Sequence, residues 1–371
     1  MKDLFVLDAD GHVSEIEEGV VDWKKELPER FRSIAPRHIP FDTGGGRFFI
    51  EGKIWPQPYP TGYKAARQNI RDLHTQRTGM WDPKVRVEHM DMEGIDVAVL
   101  FGAAVCFSSS TLENKEFGLA MAQAYNNWLA RFCSYRPQRL KGIATTPLQD
   151  AEAAVGELHR AVKELGHVGF TAPSNIHGKN ISHPDYWPVF AEAERLNVPL
   201  CIHMTGSLPG MYRAGTERFG THFYNHLFGH PFEQMIALSC LYGDGVLDRH
   251  PKMRVAFLES GAGWLPYWLD RMHEHYEHLG GELKAGAPPR AYWESGQLYI
   301  SFEVDETTLE ATVDLVGEGS VIFASDYWHF DGKFPDTVKT VMERPKLSSA
   351  VKRKILGENG ARLFNVRNGK H

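Results

Sequence analysis

The sequence has little cysteine and no long apolar run. Its 371 residues include four cysteines, Cys106, Cys133, Cys201 and Cys240. None are spaced as Cys-x-x-Cys, which excludes a cysteine zinc cluster and a disulfide framework and leaves reduced, buried thiols as the expectation. No stretch reaches the ~18 consecutive apolar residues of a membrane span, and the N-terminal residues lack an apolar core followed by a small-residue cleavage site. The expectation is a soluble cytoplasmic protein without a membrane partner. Positive charge is not in excess either: 41 Lys and Arg stand against 47 Asp and Glu, a net charge of −6. Nucleic-acid binding, which draws on basic patches, is not expected. No Gly-x-Gly-x-x-Gly turn follows the first strand candidate, as a dinucleotide fold would want.

What is present is an alternation of short apolar runs with longer amphipathic ones. Strand candidates are Leu4 to Ala9, Val97 to Gly102, Gly142 to Thr146, Val168 to Thr171, Pro199 to Met204, Arg254 to Glu259, Leu298 to Glu303 and Val321 to Ser325. Helical patterns lie between them: Asn114 to Tyr135, Ala151 to Leu165, Trp187 to Leu196, Phe232 to Asp248, Gly263 to His278 and Leu347 to Leu363. In the second of these, Ala154, Val155, Leu158, Ala161, Val162 and Leu165 form one stripe, as a helix covering a sheet requires. Strand then helix, repeated about eight times, predicts an α/β chain folded as a (β/α)8 TIM barrel over residues 1–371. Residues 16–83, rich in Gly, Pro and aromatics, interrupt the repeat. They read as a long insertion after the first strand, a lid over the barrel mouth with a hairpin at Arg47 to Ile54, or else an oligomer contact in a homodimer.

In such barrels the reacting groups gather at the carboxyl ends of the strands. Four of the proposed strands end in candidate metal ligands: Asp10 and His12, His203, Glu259, and Asp326. Each alone has a plainer reading as a helix cap or a satisfied core histidine. Together, at one rim, buried ionisable groups are costly unless paired or bound to metal. Residues two apart on a strand point the same way, so Asp10 and His12 can hold one ion, and His203 and Asp326 complete a mixed nitrogen and oxygen set suited to zinc, manganese or iron.

The stretches "DADGHV", "RVEHMDMEGIDVAVLF", "YWPVFAEAERLNVPLCIHMTG", "HPKMRVAFLESGAGWLPYWLDR" and "FASDYWHFDG", in that order, resemble the amidohydrolase-related family typified by aminocarboxymuconate semialdehyde decarboxylase, which also includes resorcylate and carboxyvanillate decarboxylases. The resemblance implies a metal-dependent TIM barrel and places the family's metal pair on Asp10 and His12, its fifth-strand histidine on His203 and its last-strand aspartate on Asp326. Two positions depart. Asp10-Gly11-His12 stands where His-x-His or Glu-x-His is frequent, and Glu259 stands where those decarboxylases have a catalytic histidine.

Two reaction readings follow. In the first, one metal acts with Glu259, Asp326 and His203 as the catalytic groups, in hydrolysis or non-oxidative decarboxylation of a small aromatic or carbonyl substrate. In the second, Glu259 bridges to a further metal, with His177 or Glu15 as additional ligands, giving a carboxylate-rich centre of two irons like that of oxygen-activating monooxygenases. A non-catalytic metal-binding scaffold is a third reading. The histidines His222, His226 and His230, at four-residue spacing, read as substrate contacts, as an extra ligand or as one face of a partly buried helix. His226, His230, Arg271, Trp328, Arg47 and Trp55 are the substrate-contact candidates, and His329 is a candidate to orient Asp326.

Overall fold

Runs such as Val97-Ala-Val-Leu-Phe101 are buried along their whole length, as a strand with a covered sheet face on both sides must be. The computed structural model describes residues 4–16, 19–40, 46–55, 77–203, 210–219, 221–327, 329 and 332–367. Eight parallel strands form its central sheet: β1 (Leu7–His12), β2 (Val97–Phe101), β3 (Leu140–Thr145), β4 (Gly169–Ala172), β5 (Leu200–His203), β6 (Val255–Leu258), β7 (Leu298–Phe302) and β8 (Val321–Phe323), neighbours in that order. All eight strand candidates are strands. The sheet closes at its carboxyl end, where the Asp326 amide donates to the Asp10 carbonyl at 3.0 Å and the His12 amide donates to the Tyr327 carbonyl at 2.9 Å. The (β/α)8 barrel is thus present, and its closing seam passes through three of the candidate ligands, Asp10, His12 and Asp326.

The helices cover the barrel for local reasons. In α1 (Pro83–Glu93), the Asp82 side chain accepts from the amides of Lys84 and Val85, Pro83 opens the helix, and Gly94 ends it in the left-handed region. In α2 (Lys115–Cys133) the Asn114 side chain caps Phe117. In α3 (Ala151–Lys163) Ala154, Leu158 and Ala161 are buried, with Val155 and Val162 packed at the edge of the core. After α4 (Trp187–Leu196) comes α5 (His222–Gly243), which starts ten residues before the expected Phe232 and runs through Pro231. Proline disfavours the helical state of the residue before it, which reads in the sequence as a boundary. Here the helix continues through it, and this puts His226 and His230 on one helix.

The first strand also differs from expectation. It spans Leu7–His12 rather than Leu4 to Ala9, so Asp10 and His12 lie within it. Its pairing with β2 slips between Asp8 and Gly11, three residues on β1 matching two on β2. That bulge undoes the two-residue alternation. Asp8 turns to the side on which a Cβ at Gly11 would meet the Arg86 guanidinium at 2.2 Å and Asp8 Oδ2 at 2.7 Å.

Of the insertion, a three-stranded antiparallel sheet of Arg37–Pro40, Gly46–Ile50 and Lys53–Trp55 is described, and it contains the expected hairpin. The Glu51 carboxylate accepts from the amides of Glu113 at 3.0 Å and Asn114 at 2.6 Å, and Phe31 packs on Phe117. This part of the insertion therefore lies against α2. Among the described residues no helix is long and apolar enough to cross a membrane, and the four cysteines are free, three of them buried.

Candidate metal centre

Asp10, His12, His203, Glu259 and Asp326 meet at the carboxyl rim of the barrel. His203 Nε2 lies 3.1 Å from Asp10 Oδ2 and 3.4 Å from Glu259 Oε2. His12 Nε2 lies 3.6 Å from Asp10 Oδ1 and 3.4 Å from Asp326 Oδ1. Glu259 and Asp326 both stand just past a strand end in the left-handed region, at φ 57 and 47. Such backbone is strained for a side chain with a Cβ and is held only where the surroundings dictate it. The Glu259 amide donates to Ser301 Oγ, and the glycine-rich turn that follows is pinned by the Glu306 carboxylate on the amides of Ala262 and Gly263.

The donor set fits a divalent transition ion. Asp10 Oδ1 and His12 Nε2 are buried and make no hydrogen bond, a costly state for polar atoms unless a cation sits among them. His12 Nδ1 donates to the Gly102 carbonyl at 3.4 Å, which leaves the Nε2 lone pair facing the carboxylates, as a ligating histidine needs. The His203 ring is stacked on Phe107 at 4.7 Å, fixing its plane.

Charge in the cluster is strongly biased. Burial alone would raise the Glu259 carboxyl, but His230, His329 and His203 outweigh it and hold the group well below the usual range. Asp326 is likewise held down, chiefly by His329 against the opposing effect of burial. Burial works against a charged His203, yet Asp10 above all, then Glu259 and Asp326, push it up to about 9. Folded protein thus holds this proton more tightly than unfolded chain. The stability it contributes is fully present below about pH 6.5 and is lost as the pH rises through about 9. Metal-free protein is therefore expected to melt at progressively lower temperature across that window. A bound ion takes the imidazole in its neutral form, so ion affinity should rise ~10-fold per pH unit for each proton displaced. Thermal melts and metal titrations from pH 6 to 9 check both slopes, and a flat affinity would remove His203 from the ligand set.

Other expected site residues fall elsewhere. Glu15 is buried, but its oxygens accept from the backbone amides of Ala103 at 2.6 Å and Val105 at 2.6 Å; it caps the helical turn Ala104–Ser108 and is fully engaged, not a ligand. His177 occupies the tip of a two-stranded hairpin, Asn175–Ile176 with Lys179–Asn180, in the left-handed conformation of such turns, and is exposed. Arg271 is exposed on α6 (Leu265–Leu279). Trp328 and the side chains of Arg47, Trp55 and His222 lie outside the described residues. His230 does reach the cluster, its Nε2 3.6 Å from Glu259 Oε1, with His226 beside it. His329 stacks on His12 at 4.1 Å, and its Nδ1 lies 2.6 Å from Asp326 Oδ1 and 3.5 Å from Glu259 Oε1.

Two positioning groups carry no sequence signal. Gln234, fully buried on α5, donates through Nε2 to the carbonyls of Ile202 at 2.9 Å and Leu258 at 2.8 Å, the residues just before His203 and Glu259. Nothing in "FEQMIALS" distinguishes a glutamine that ties two strand ends from one that faces solvent. Gln234→Leu, similar in size, should leave both carbonyls without this donor and weaken metal binding by about 10–100-fold, the cost typical of a lost supporting contact. Competition with a chromophoric chelator measures it. Arg86 is the other. Its guanidinium donates to the His12 carbonyl at 2.8 Å, lies 3.6 Å from Asp8 Oδ2 and covers the Tyr327 ring at 3.9 Å, while Asp8 accepts from the Ser325 amide and hydroxyl. It thereby braces the seam between β1 and β8 from behind.

A barrel with candidate ion ligands from β1, β5, β6 and β8 at one rim is the arrangement of metal-dependent hydrolytic and lytic enzymes. A family model described as Amidohydrolase matches residues 8–366, and the chain belongs to that family. It is 29% identical over 292 residues to the 2-amino-3-carboxymuconate-6-semialdehyde decarboxylase of Dictyostelium discoideum, covering 77% of each. With the gamma-resorcylate decarboxylase of Polaromonas sp. it shares 26% over 355 residues, 92% of this chain and 98% of that one. In fold it is similar to an amidohydrolase from Mycobacterium avium subsp. paratuberculosis, with a TM-score of 0.79 at 16% identity over 98% and 99% of the two chains. A dihydroxybenzoic acid decarboxylase from Polaromonas sp. with bound manganese and 2-nitroresorcinol superposes with a TM-score of 0.70 at 19% identity, over 99% and 98%. The chain is an enzyme of this metal-dependent family. The relatives give no support to the oxygenase reading.

Proposed function

We propose that this enzyme catalyses non-oxidative decarboxylation of a small aromatic or conjugated carboxylic acid, with one divalent transition ion held by Asp10, His12, His203 and Asp326. The observation that carries the reading is the convergence of these four groups on buried ligand atoms, Asp10 Oδ1 and His12 Nε2, that lack a hydrogen bond. The relatives named as decarboxylases of such acids supply the reaction class. A bound ion would supply Lewis-acid polarisation of the substrate's oxygens.

The chain's own groups supply the proton. As the bond to the carboxylate breaks, its electron pair stays on the substrate carbon, which takes up one proton as carbon dioxide leaves. Glu259, ionised among three histidines, is poorly suited to donate it. His329 is better placed: its side chain is 33% exposed, against 2% or less for Asp10, His12 and His203, so it reaches both the cluster and an entering substrate. Asp326 and Glu259 on either side keep its imidazole protonated. The replacement of a histidine by Glu259 thus shifts the donor role to His329 rather than removing it.

The test is reaction of the manganese-loaded enzyme with ortho-hydroxybenzoates and conjugated carboxylates in D2O. Carbon dioxide release with one deuterium entering the product carbon is expected. Hydrolytic cleavage, oxygen uptake, or no carbon dioxide from any member of the panel overturns the reading.

A further inference from the structure

We infer that His226, His230 and Glu259 form a second cation site beside the first, with the Glu259 carboxylate bridging the two. The inference rests on the proposed first ion and goes beyond it. One ligand atom from each of the three residues lies within 4.8 Å of the others, without sharing a residue with the Asp10, His12, His203 group. The two oxygens of Glu259 divide between the groups: Oε2 is 3.4 Å from His203 Nε2, and Oε1 is 3.6 Å from His230 Nε2. A carboxylate placed so is the usual means of holding two ions at close range.

The helix makes the histidine pair. Residues four apart on a helix share one face, and His226 and His230 lie in the part of α5 that precedes Pro231, with ring centroids 4.4 Å apart. His230 repeats the arrangement seen at His12. Its Nδ1 donates to a backbone carbonyl, that of His226, at 3.1 Å, so its Nε2 lone pair faces a carboxylate oxygen. Two electron-rich atoms facing one another in a buried place are repulsive unless a cation lies between them. The same geometry therefore occurs twice, once on each side of Glu259. Two imidazoles and one carboxylate oxygen, leaving a fourth position to solvent or substrate, match an open site for a borderline divalent ion such as zinc, manganese or iron. This gives Glu259 a function that neither a proton donor nor a structural glutamate has, and it identifies the partners of the second ion as His226 and His230, not His177 or Glu15.

The test is the stoichiometry of manganese(II) bound by protein purified free of metal, by equilibrium dialysis and elemental analysis, together with the electron paramagnetic resonance spectrum. Wild-type protein is expected to take up two ions per chain and to give a spin-coupled spectrum. The double variant His226→Ala with His230→Ala should take up one and give the spectrum of an isolated ion. The milder His226→Gln, whose melting curve reports folding, should lose the coupled signal in the same way. One ion per chain in wild type and variants alike, or two uncoupled ions in the variants, overturns the second site and leaves the first intact. No ion in wild-type protein overturns both.

Discussion

The His203→Ala protein is expected to lose its first-site ion and to fall at least about 10³-fold in kcat, because an ion acting as Lewis acid contributes several kcal/mol to the transition state and each 1.36 kcal/mol is tenfold in rate. His203 is buried at the end of β5, between Asp10 and Glu259. It supplies a nitrogen ligand to the site and a positive charge to the metal-free cluster. Without it, Asp10, Glu259 and Asp326 face one another with one fewer cation, so the variant should also be less stable than metal-free wild type. That deficit should be largest below about pH 6.5, where His203 carries its proton, and should shrink as the pH rises through about 9. Metal analysis, turnover and melts over that range read the three effects separately. Activity retained within tenfold, with a full complement of metal, would show that the ion is held by other residues.

Arg86→Met should destabilise the fold by about 3–5 kcal/mol, the cost of leaving a buried partner charge uncompensated. Arg86 is 1% exposed and Asp8 is wholly buried. Burial pushes the Asp8 carboxyl up to about 6, with Arg86 and then Ser325 pulling the other way. At neutral pH Asp8 is therefore mostly ionised, and the variant strands it against Ser325 alone. Without Arg86 to hold it down, the Asp8 carboxyl takes up its proton at higher pH than in wild type, so the loss should shrink as the pH falls toward about 6. The double variant Asp8→Asn with Arg86→Met should recover part of the loss, by a coupling of about 0.5–3 kcal/mol in a denaturant-unfolding cycle. Strict additivity of the two changes would show that the pair is not coupled. The variant also removes the donor to the His12 carbonyl, so weaker metal binding should accompany the loss of stability.

Barrel and rim were legible because they rest on local signals. Strands such as Val255-Ala-Phe-Leu258 and Val321-Ile-Phe323 are apolar and short, the helices between them carry stripes and caps, and a strand-helix repeat of this number closes in one way. Once that topology is granted, residues that follow strands fall at one rim, so Asp10, His12, His203, Glu259 and Asp326 were found from position alone. The limits of this reasoning lie at residues whose role depends on what approaches them from far along the chain. Glu15 has the same local appearance as Asp10, and only the arrival of the amides of Ala103 and Val105 makes it a cap. His177 follows a strand as His203 does, but a tight hairpin turns it outward.

The sequence by itself determined the class of fold and the five groups that gather at one end of the barrel, because short continuous apolar runs, apolar stripes of period three to four and chain order are properties of the chain alone. Tertiary structure decided how those groups divide. The slip between β1 and β2 sends Asp8 to Arg86 while Asp10 and His12 stay at the seam. Gln234 ties two strand ends from a helix more than thirty residues away from one of them. Continuation of α5 through Pro231 brings His226 and His230 to the far side of Glu259. Each of these depends on distances between segments remote in sequence, which no local spacing encodes.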